Sequence, residues 1–307
     1  MDPMSDKILC PTDFSVDSEH ALRVAVRLAI ERDAELVIAH VWHLPSFAFA
    51  GEAPIPGEVV SDMIRISERD LAAAAGRATS LGATRVSTMF LRGVPWDQIV
   101  KAADDRAFDL VVMGRRGRSG VARFLVGSVT ERVIRHAACS VLAVPPDAAI
   151  ERTTHVLCPV DFSEGSSHAM QLAAGLAGPR GEVTLLHVVE IDSSYTGGFT
   201  DGSSRVDKLA IHLLENAAEE LRAKFDVAVT TRIELGHPAH HILKALETTA
   251  AFDLVVVGSH GRTGIRRLFL GSVAEKVVRH ANCSVYVARV RAPGPALEQV
   301  EELPHTD

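Results

Sequence analysis

At 307 residues, 47% of them hydrophobic and 23% charged, the chain has the composition of a soluble globular protein with a buried core. That length suits two domains of about 150 residues each. A net charge of −7 gives non-specific nucleic-acid binding little electrostatic support, and no apolar run approaches the roughly 20 residues that a membrane helix needs.

The opening MDPMSDKILCPTDFS has no basic segment leading into a long apolar stretch, so no secretory signal is read there. Short apolar runs then alternate with helical patterns. Strands are predicted near Lys7–Cys10, Glu35–His40, Val86–Leu91, Leu110–Met113 and Ser140–Val144. Between the first two, Ala21, Val24, Ala25, Leu28 and Ala29 share one helical face, with Asp17 or Ser18 as the candidate cap. Further helices are predicted over Asp62 to Ser80 and Asp97 to Ala103, and from Gly127 onward. Near-continuous apolar strands separated by helices imply a parallel sheet covered on both faces. The fold class is therefore α/β, in its open, doubly wound form. A segment without periodicity follows the second strand of each half, Pro45 to Gly57 and Asp192 to Ser204. Loops that long in compact domains are functional lids or simply mobile.

The second half repeats the first. ILCPTDFS (Ile8 to Ser15) returns as VLCPVDFS (Val156 to Ser163), and VIAHV (Val37 to Val41) as TLLHV (Thr184 to Val188). GSVTERVIRHAACSVLAV (Gly127 to Val144) returns as GSVAEKVVRHANCSVYVA (Gly271 to Ala288). The period far exceeds the roughly 20–50 residues of a solenoid unit. Two whole domains are read instead, 1–147 and 151–291, with a short linker around Pro145 to Thr153 and a solvated tail over 292–307. The cysteines fall into equivalent pairs, Cys10 with Cys158 and Cys139 with Cys283. That pattern reflects duplication rather than a disulfide framework or a zinc site, and a reducing, cytoplasmic location is expected.

The most informative repeat is the loop GRRGRSGVARFLVGS (Gly114 to Ser128), which returns as GSHGRTGIRRLFLGS (Gly258 to Ser272) after the matching runs AFDLVVM and AFDLVVV. Ligands of open α/β sheets settle beyond the carboxyl ends of the strands, at a topological switch point. Glycines at 114 and 117 remove Cβ atoms that would block backbone approach, and permit positive φ. The N–H groups of Gly127, Ser128 and Val129 are expected to be free at a helix N-terminus, where the dipole also favours an anion. The Ser128 hydroxyl adds a donor. Arg115, Arg116, Arg118 and Arg123 add nearby positive charge, as do His260, Arg262, Arg266 and Arg267 in the second copy. The competing reading makes the glycines mere turn formers and the arginines a solvated surface; two matched copies weigh against its first half. The acid after strand one, Asp13 in PTDFS and Asp161 in PVDFS, can accept from ribose hydroxyls or reach magnesium, or else form the turn into the next helix. Its recurrence beside the same edge favours the ligand role.

The spacing G-x2-G-x9-G-[S/T], with an Asp closing strand one, resembles the ATP-binding branch of the universal stress protein family in its tandem form, over Lys7 to Val290. The resemblance implies Rossmann-like, adenine nucleotide alpha hydrolase-like domains that hold ATP, ADP or AMP, with Mg²⁺, at the strand ends. It implies that Asp13 meets the ribose or metal and that the Val41 backbone reads adenine, with Pro11 and Met113 in the same site. Gly114, Arg116, Gly117, Gly127, Ser128, Val129 and Thr130 would surround the phosphates. The second-copy counterparts are Pro159, Asp161, Val188, Val257, Gly258, His260, Gly261, Gly271, Ser272, Val273 and Ala274. Ala274 in place of Thr130 removes a hydroxyl donor, a loss of about 1 kcal/mol, so the second site is expected to bind more weakly. The resemblance also implies that the last strands, Ser140–Val144 and Ser284–Val287, pair edge to edge into an internal pseudo-dimer; a homodimer of chains stays open.

Other candidates carry less. His136 and His280, in matched RHA segments, suit helix C-termini. His40, His187, Cys10 and Cys158 read as packing residues, and the neighbouring His240 and His241 lack a third metal ligand. Trp42 and Trp96 occur in the first copy alone. The chain has no P-loop lysine motif and no nucleophile elbow. The expected function is a regulatory, ATP-binding stress-response protein with at most slow hydrolysis. An adenylyl- or phosphoryl-transfer enzyme, or an interaction module with vestigial pockets, are the alternatives.

Overall fold

Each half of the chain builds the same series of elements. The first runs β1 (Lys7–Pro11), α1 (Val16–Arg32), β2 (Glu35–Trp42), α2 (Gly57–Ser80), β3 (Val86–Arg92), α3 (Pro95–Asp105), β4 (Leu110–Gly114), α4 (Ser128–His136) and β5 (Ser140–Val144). The second runs β6 (His155–Val160), α5 (Glu164–Ala177), β7 (Glu182–Val189), α6 (Gly202–Phe225), β8 (Ala228–Leu235), α7 (Pro238–Thr248), β9 (Leu254–Gly258), α8 (Ser272–His280) and β10 (Ser284–Ala288). The structure, a computed structural model, describes residues 7–44, 55–117, 126–146, 148, 153–190, 202–248, 252–261 and 270–290. Most of both expected lid segments, the tail, and Arg118, Arg123, Arg262, Arg266 and Arg267 lie outside the described residues.

The central strands β4, β5, β9 and β10 are buried along almost their whole length because helices cover both faces, whereas the outer β3 and β8 keep exposed polar residues. Along β4, Leu110 and Val112 join the core beneath α1 and α2, while Val111 and Met113 join the core beneath α3 and α4. That is the two-residue period of a strand buried on both sides. The predicted helical face of α1 is buried at Ala21, Val24, Ala25, Leu28 and Ala29. Its cap is Ser15, not Asp17 or Ser18: the Ser15 side chain accepts from the Ser18 N–H at 3.3 Å. The second helix starts at Gly57, not Asp62, with Pro56 at its N-cap and a φ that leads into a helix.

The sheet order is β3-β2-β1-β4-β5-β10-β9-β6-β7-β8. Pairing is parallel inside each half and antiparallel only between β5 and β10, where Leu142 lies opposite Tyr286. The last strands therefore join the halves into one sheet, as expected. In each half the winding reverses at one place, between β1 and β4 or between β6 and β9. The loops leaving those neighbouring strands part there, which opens a crevice at their carboxyl ends. Among the described residues, no helix is long and apolar enough to cross a membrane.

Arginines lock the halves across this joint. The buried Arg115, just past β4, donates to the carbonyls of Ala281 and Arg279 (the latter at 3.1 Å) at the end of α8. The buried Arg289, just past β10, donates to Ile134 O at 2.7 Å and Arg135 O at 3.2 Å at the end of α4. A cation there answers both the unpaired carbonyls and the negative end of the helix dipole. Outside them, Arg135 and Arg279 each bridge both Glu131 and Glu275 at 3.0–3.3 Å. These side chains are about one-third exposed or more, so solvent screens them and their contribution is modest.

All four cysteines are buried and free. Burial pushes the Cys10 thiol up to about 12, with Glu19 adding to the shift, and burial likewise pushes Cys283 up to about 12. Cys158 is raised by burial as well. At pH 8 a thiol of that pKa is thiolate in about one part in ten thousand. Iodoacetamide at pH 8 is therefore predicted to label these cysteines only as fast as the protein unfolds; stoichiometric labelling of the native chain within minutes would contradict this packing.

Candidate functional site

Past β1 the chain turns sharply, and the same bonds hold the turn in both halves. Asp13 Oδ1 accepts from the Ser15 N–H at 3.1 Å and from its hydroxyl at 2.5 Å. Asp161 Oδ1 does so from Ser163 at 3.0 and 2.6 Å. These are Asx-type turns. They place Phe14 and Phe162 in the left-handed region, each at φ 61°, a costly backbone for a bulky side chain. A histidine compensates each time. His40 stacks on Phe14 with centroids 4.5 Å apart, and His187 lies 4.7 Å from Phe162. The Nδ1–H of His40 donates to Thr12 O at 2.8 Å, and that of His187 to Val160 O at 2.7 Å. Both imidazoles therefore brace the turn from the end of the second strand, the packing role expected of them.

The glycine loop approaches this turn from β4. A Cβ on Gly114 would lie 2.8 Å from the backbone of Asp17, and one on Gly258 would lie 2.9 Å from that of Gly165. These two glycines press the strand end against the start of α1 or α5. A Cβ on Gly117 would lie 2.7 Å from Asp13 Oδ2, and one on Gly261 would lie 2.6 Å from Asp161 Oδ2. Loop and carboxylate thus meet across the crevice in both domains. None of the four glycines is at positive φ, so the expected conformational role is corrected: Gly114 and Gly258 are required for space against backbone, and Gly117 and Gly261 leave room for the carboxylate end of Asp13 or Asp161. Gly127 and Gly271 are less crowded, their nearest contacts lying at 3.4 and 3.5 Å.

Four further expectations change. The Gly127 N–H donates to Arg115 O at 2.8 Å, and the Gly271 N–H to Ser259 O at 2.9 Å, so these amides close the loop. The first turns at Ser128–Val129 and Ser272–Val273, exposed at the serines and half-buried at the valines, supply the helix-start amides, which lack intrahelical acceptors by geometry and a cap side chain from the preceding glycine. Thr130 is buried, and its hydroxyl donates to Gly114 O at 2.8 Å. Its one proton is committed, so Thr130 ties α4 to the end of β4 and the expected weakening of the second site through Ala274 loses its basis. Arg115 serves the domain joint. Arg116 is paired with Asp17, whose Oδ2 lies 3.2 Å from its N and 3.1 Å from its Nε.

The other expected residues gather at the same edge. Pro11 ends β1, Val41 lies near the end of β2, and Met113 and Gly114 end β4; Pro159, Val188, Val257 and Gly258 repeat the arrangement. Val41, Val188, Met113 and Val257 are buried beneath it. Besides Thr130 against Ala274 and Arg115 against Ser259, the halves differ at a linked exchange: Asp17 and Arg116 become Gly165 and His260. A Cβ on Gly165 would lie 2.8 Å from His260 O, and the His260 Nδ1 lies 2.9 Å from Ser259 Oγ. The second loop thus sits against the helix where the first uses an ion pair. Sequence reading missed Asp17 as a loop partner, although this paired exchange signals it. Among the described residues, no group of three or more His, Cys, Asp or Glu is arranged to hold a metal. His241 instead lies 3.6 Å from Glu234.

A doubly wound α/β fold, present twice, with an acid and a glycine loop facing across each switch point, defines the class of protein. A sequence profile described as the universal stress protein family matches residues 4–145 and again 153–289. A universal stress protein of Mycolicibacterium smegmatis is 30% identical over 295 residues, which cover 92% of this chain and 97% of the relative. Universal stress protein MJ0531 of Methanocaldococcus jannaschii is 35% identical over 140 residues, 45% of this chain and 81% of the relative. The crystal structure of a universal stress protein from Archaeoglobus fulgidus shares the fold with a TM-score of 0.69 at 24% identity, covering 93% of this chain and 98% of its own. The chain belongs to the universal stress protein family and carries its domain twice.

The Thr130 tie is directly testable. Thr130→Ala leaves the Gly114 carbonyl without this donor, and a lost buried hydrogen bond costs about 1–3 kcal/mol. The urea midpoint of the first domain is predicted to fall accordingly; an unchanged midpoint would place the hydroxyl elsewhere.

Proposed function

We propose that the chain binds adenine nucleotide at two sites, one per domain, and acts as a stress-response regulator whose nucleotide state alters its partners or its stability. The observation that carries this reading is the repeated juxtaposition of Gly117 with Asp13 and of Gly261 with Asp161, at 2.7 and 2.6 Å from a notional Cβ to the carboxylate. A nucleotide needs a phosphate-binding backbone and an acceptor for ribose hydroxyls a few ångströms apart, at a strand-end crevice beside a helix start. Both domains supply that combination.

In this reading the amides of Ser128 and Val129, and of Ser272 and Val273, hold phosphate oxygens. Asp13 and Asp161 take the ribose, and the backbone at Val41 and Val188 faces the base. With ATP, Mg²⁺ would be held by phosphate oxygens and water, with Asp13 or Asp161 as the single protein carboxylate; so sparse a protein shell is ordinary for this ion. One carboxylate already engaged by a serine is a weak base for activating water, which fits slow hydrolysis at most.

Heat-denaturing the purified chain and identifying the released small molecules by mass spectrometry is predicted to yield adenine nucleotide. Calorimetric titration of the stripped chain with ATP and Mg²⁺ should reach two equivalents. Gly117→Val, which fills the contact with Asp13, should remove one of them while the second domain still binds. Two undiminished equivalents in that variant would refute the geometry.

A further inference from the structure

The domains differ again beside the candidate sites. GVPWDQI (Gly93 to Ile99) corresponds to GHPAHHI (Gly236 to Ile242). Both segments leave an outer strand through a glycine, at φ 133° and 134°, and enter a helix at proline. Trp96 and Ala239 therefore hold the same position in the first turns of α3 and α7.

In the first domain the indole of Trp96 fills the space between α3 and α4. Its ring lies 5.2 Å from that of His136, and the Arg132 guanidinium lies 5.6 Å from the indole centroid. Trp96 also packs on the core beneath the two helices. In the second domain the side chain ends at the Cβ of Ala239. There α7 and α8 border a cavity of about 510 Å³, lined by Ala239, Leu243, Val273, Lys276 and His280 among others. Lys276 and His280 correspond to Arg132 and His136 in the repeat. The second domain thus keeps a cation and an imidazole on α8 where the first uses them to hold a ring. The volume is that of a small-molecule site, and the lining is mixed: Ala239, Leu243 and Val273 are apolar, while Glu190, His237, His240, Ser272, Lys276 and His280 bring polar or charged groups.

We propose that this cavity binds an electron-rich planar aromatic ring, of the indole or purine class, in the position that Trp96 fills in the first domain. The ring replaces the missing apolar contacts with Leu243 and Val273, and the Lys276 ammonium is attracted to its face, as cations are to indole. Glu190, on the cavity wall, supplies an acceptor for a ring N–H. The cavity adjoins the second nucleotide site of the proposed function, since Ser272 and Val273 line it, but it involves neither Asp161 nor Gly261, so a block at Gly261 separates the two readings.

The test titrates the full chain separately with indole and with adenosine, following binding by calorimetry and by ligand-detected NMR. At least one of the two is predicted to bind the second domain with one equivalent that Ala239→Trp abolishes, counted apart from any adenosine held at the glycine-loop sites. Which probe shows Ala239→Trp-sensitive binding tells an indole-type ligand from a purine. Trp96→Ala should add a second equivalent in the first domain. Lys276→Glu should weaken binding at least fivefold, which serves as the readout should Ala239→Trp fail to fold. Gly261→Val, which blocks the glycine-loop site, should leave the ring equivalent intact. Binding of neither probe, binding undiminished in both Ala239→Trp and Lys276→Glu, or loss of the ring in Gly261→Val would overturn the proposal.

Discussion

The absence of a side chain at the ends of β4 and β9 is the constraint on which the rest depends. At Gly114 and Gly258 the strand end meets the first turn of α1 or α5 so closely that a Cβ would overlap its backbone. Three residues on, Gly117 and Gly261 meet a carboxylate instead. Backbone cannot yield by the several tenths of an ångström that a methyl group would demand without moving the helix and the core behind it. The same closeness brings the turn after β1, the loop after β4 and the start of α4 to one crevice. Without it the acid and the helix amides would belong to separate surfaces.

Much of this was legible in the sequence, because periodicity and punctuation are local. Five apolar runs in the first half became five strands, and the matched loops marked the switch points. The bonds that distinguish neighbours were not legible. Sequence places Arg115, Arg116 and Thr130 equally near a phosphate. The fold gives Arg115 to carbonyls of α8 in the other domain, Arg116 to Asp17, and the Thr130 proton to Gly114. Each partner is far along the chain, and only the packed structure ranks it above solvent or ligand. The cap of α1 shows the same limit at short range. Ser15, Asp17 and Ser18 are all chemically suited, and it is the Asx turn at Asp13 that sets Ser15 at the cap.

Duplication gave two frames, and the joint between them has its own divergence. The shared β5–β10 ladder makes one sheet, while Glu131, Arg135, Glu275 and Arg279 form a nearly symmetric cluster over it. Arg115 and Arg289 break that symmetry, since the repeat places Ser259 and Pro145 at the corresponding positions. Arg115 also belongs to the glycine loop, between Gly114 and Arg116. The loop of the first site is thus fastened to the end of α8, whose start borders the second. The two sites share a design without being equals, and the difference lies in their surroundings rather than in the acid and glycine that define them.

The central claim, that the Asp13–Gly117 and Asp161–Gly261 junctions are nucleotide sites, is tested most directly by a crystal structure of the chain grown with ATP and Mg²⁺. The account predicts nucleotide in both crevices, with ribose hydroxyls on Asp13 and Asp161 and phosphate oxygens within hydrogen-bond distance of the amides of Ser128, Val129, Ser272 and Val273. Well-ordered crystals grown at saturating nucleotide, with both crevices free of it or with the nucleotide seated away from these carboxylates, would contradict the account.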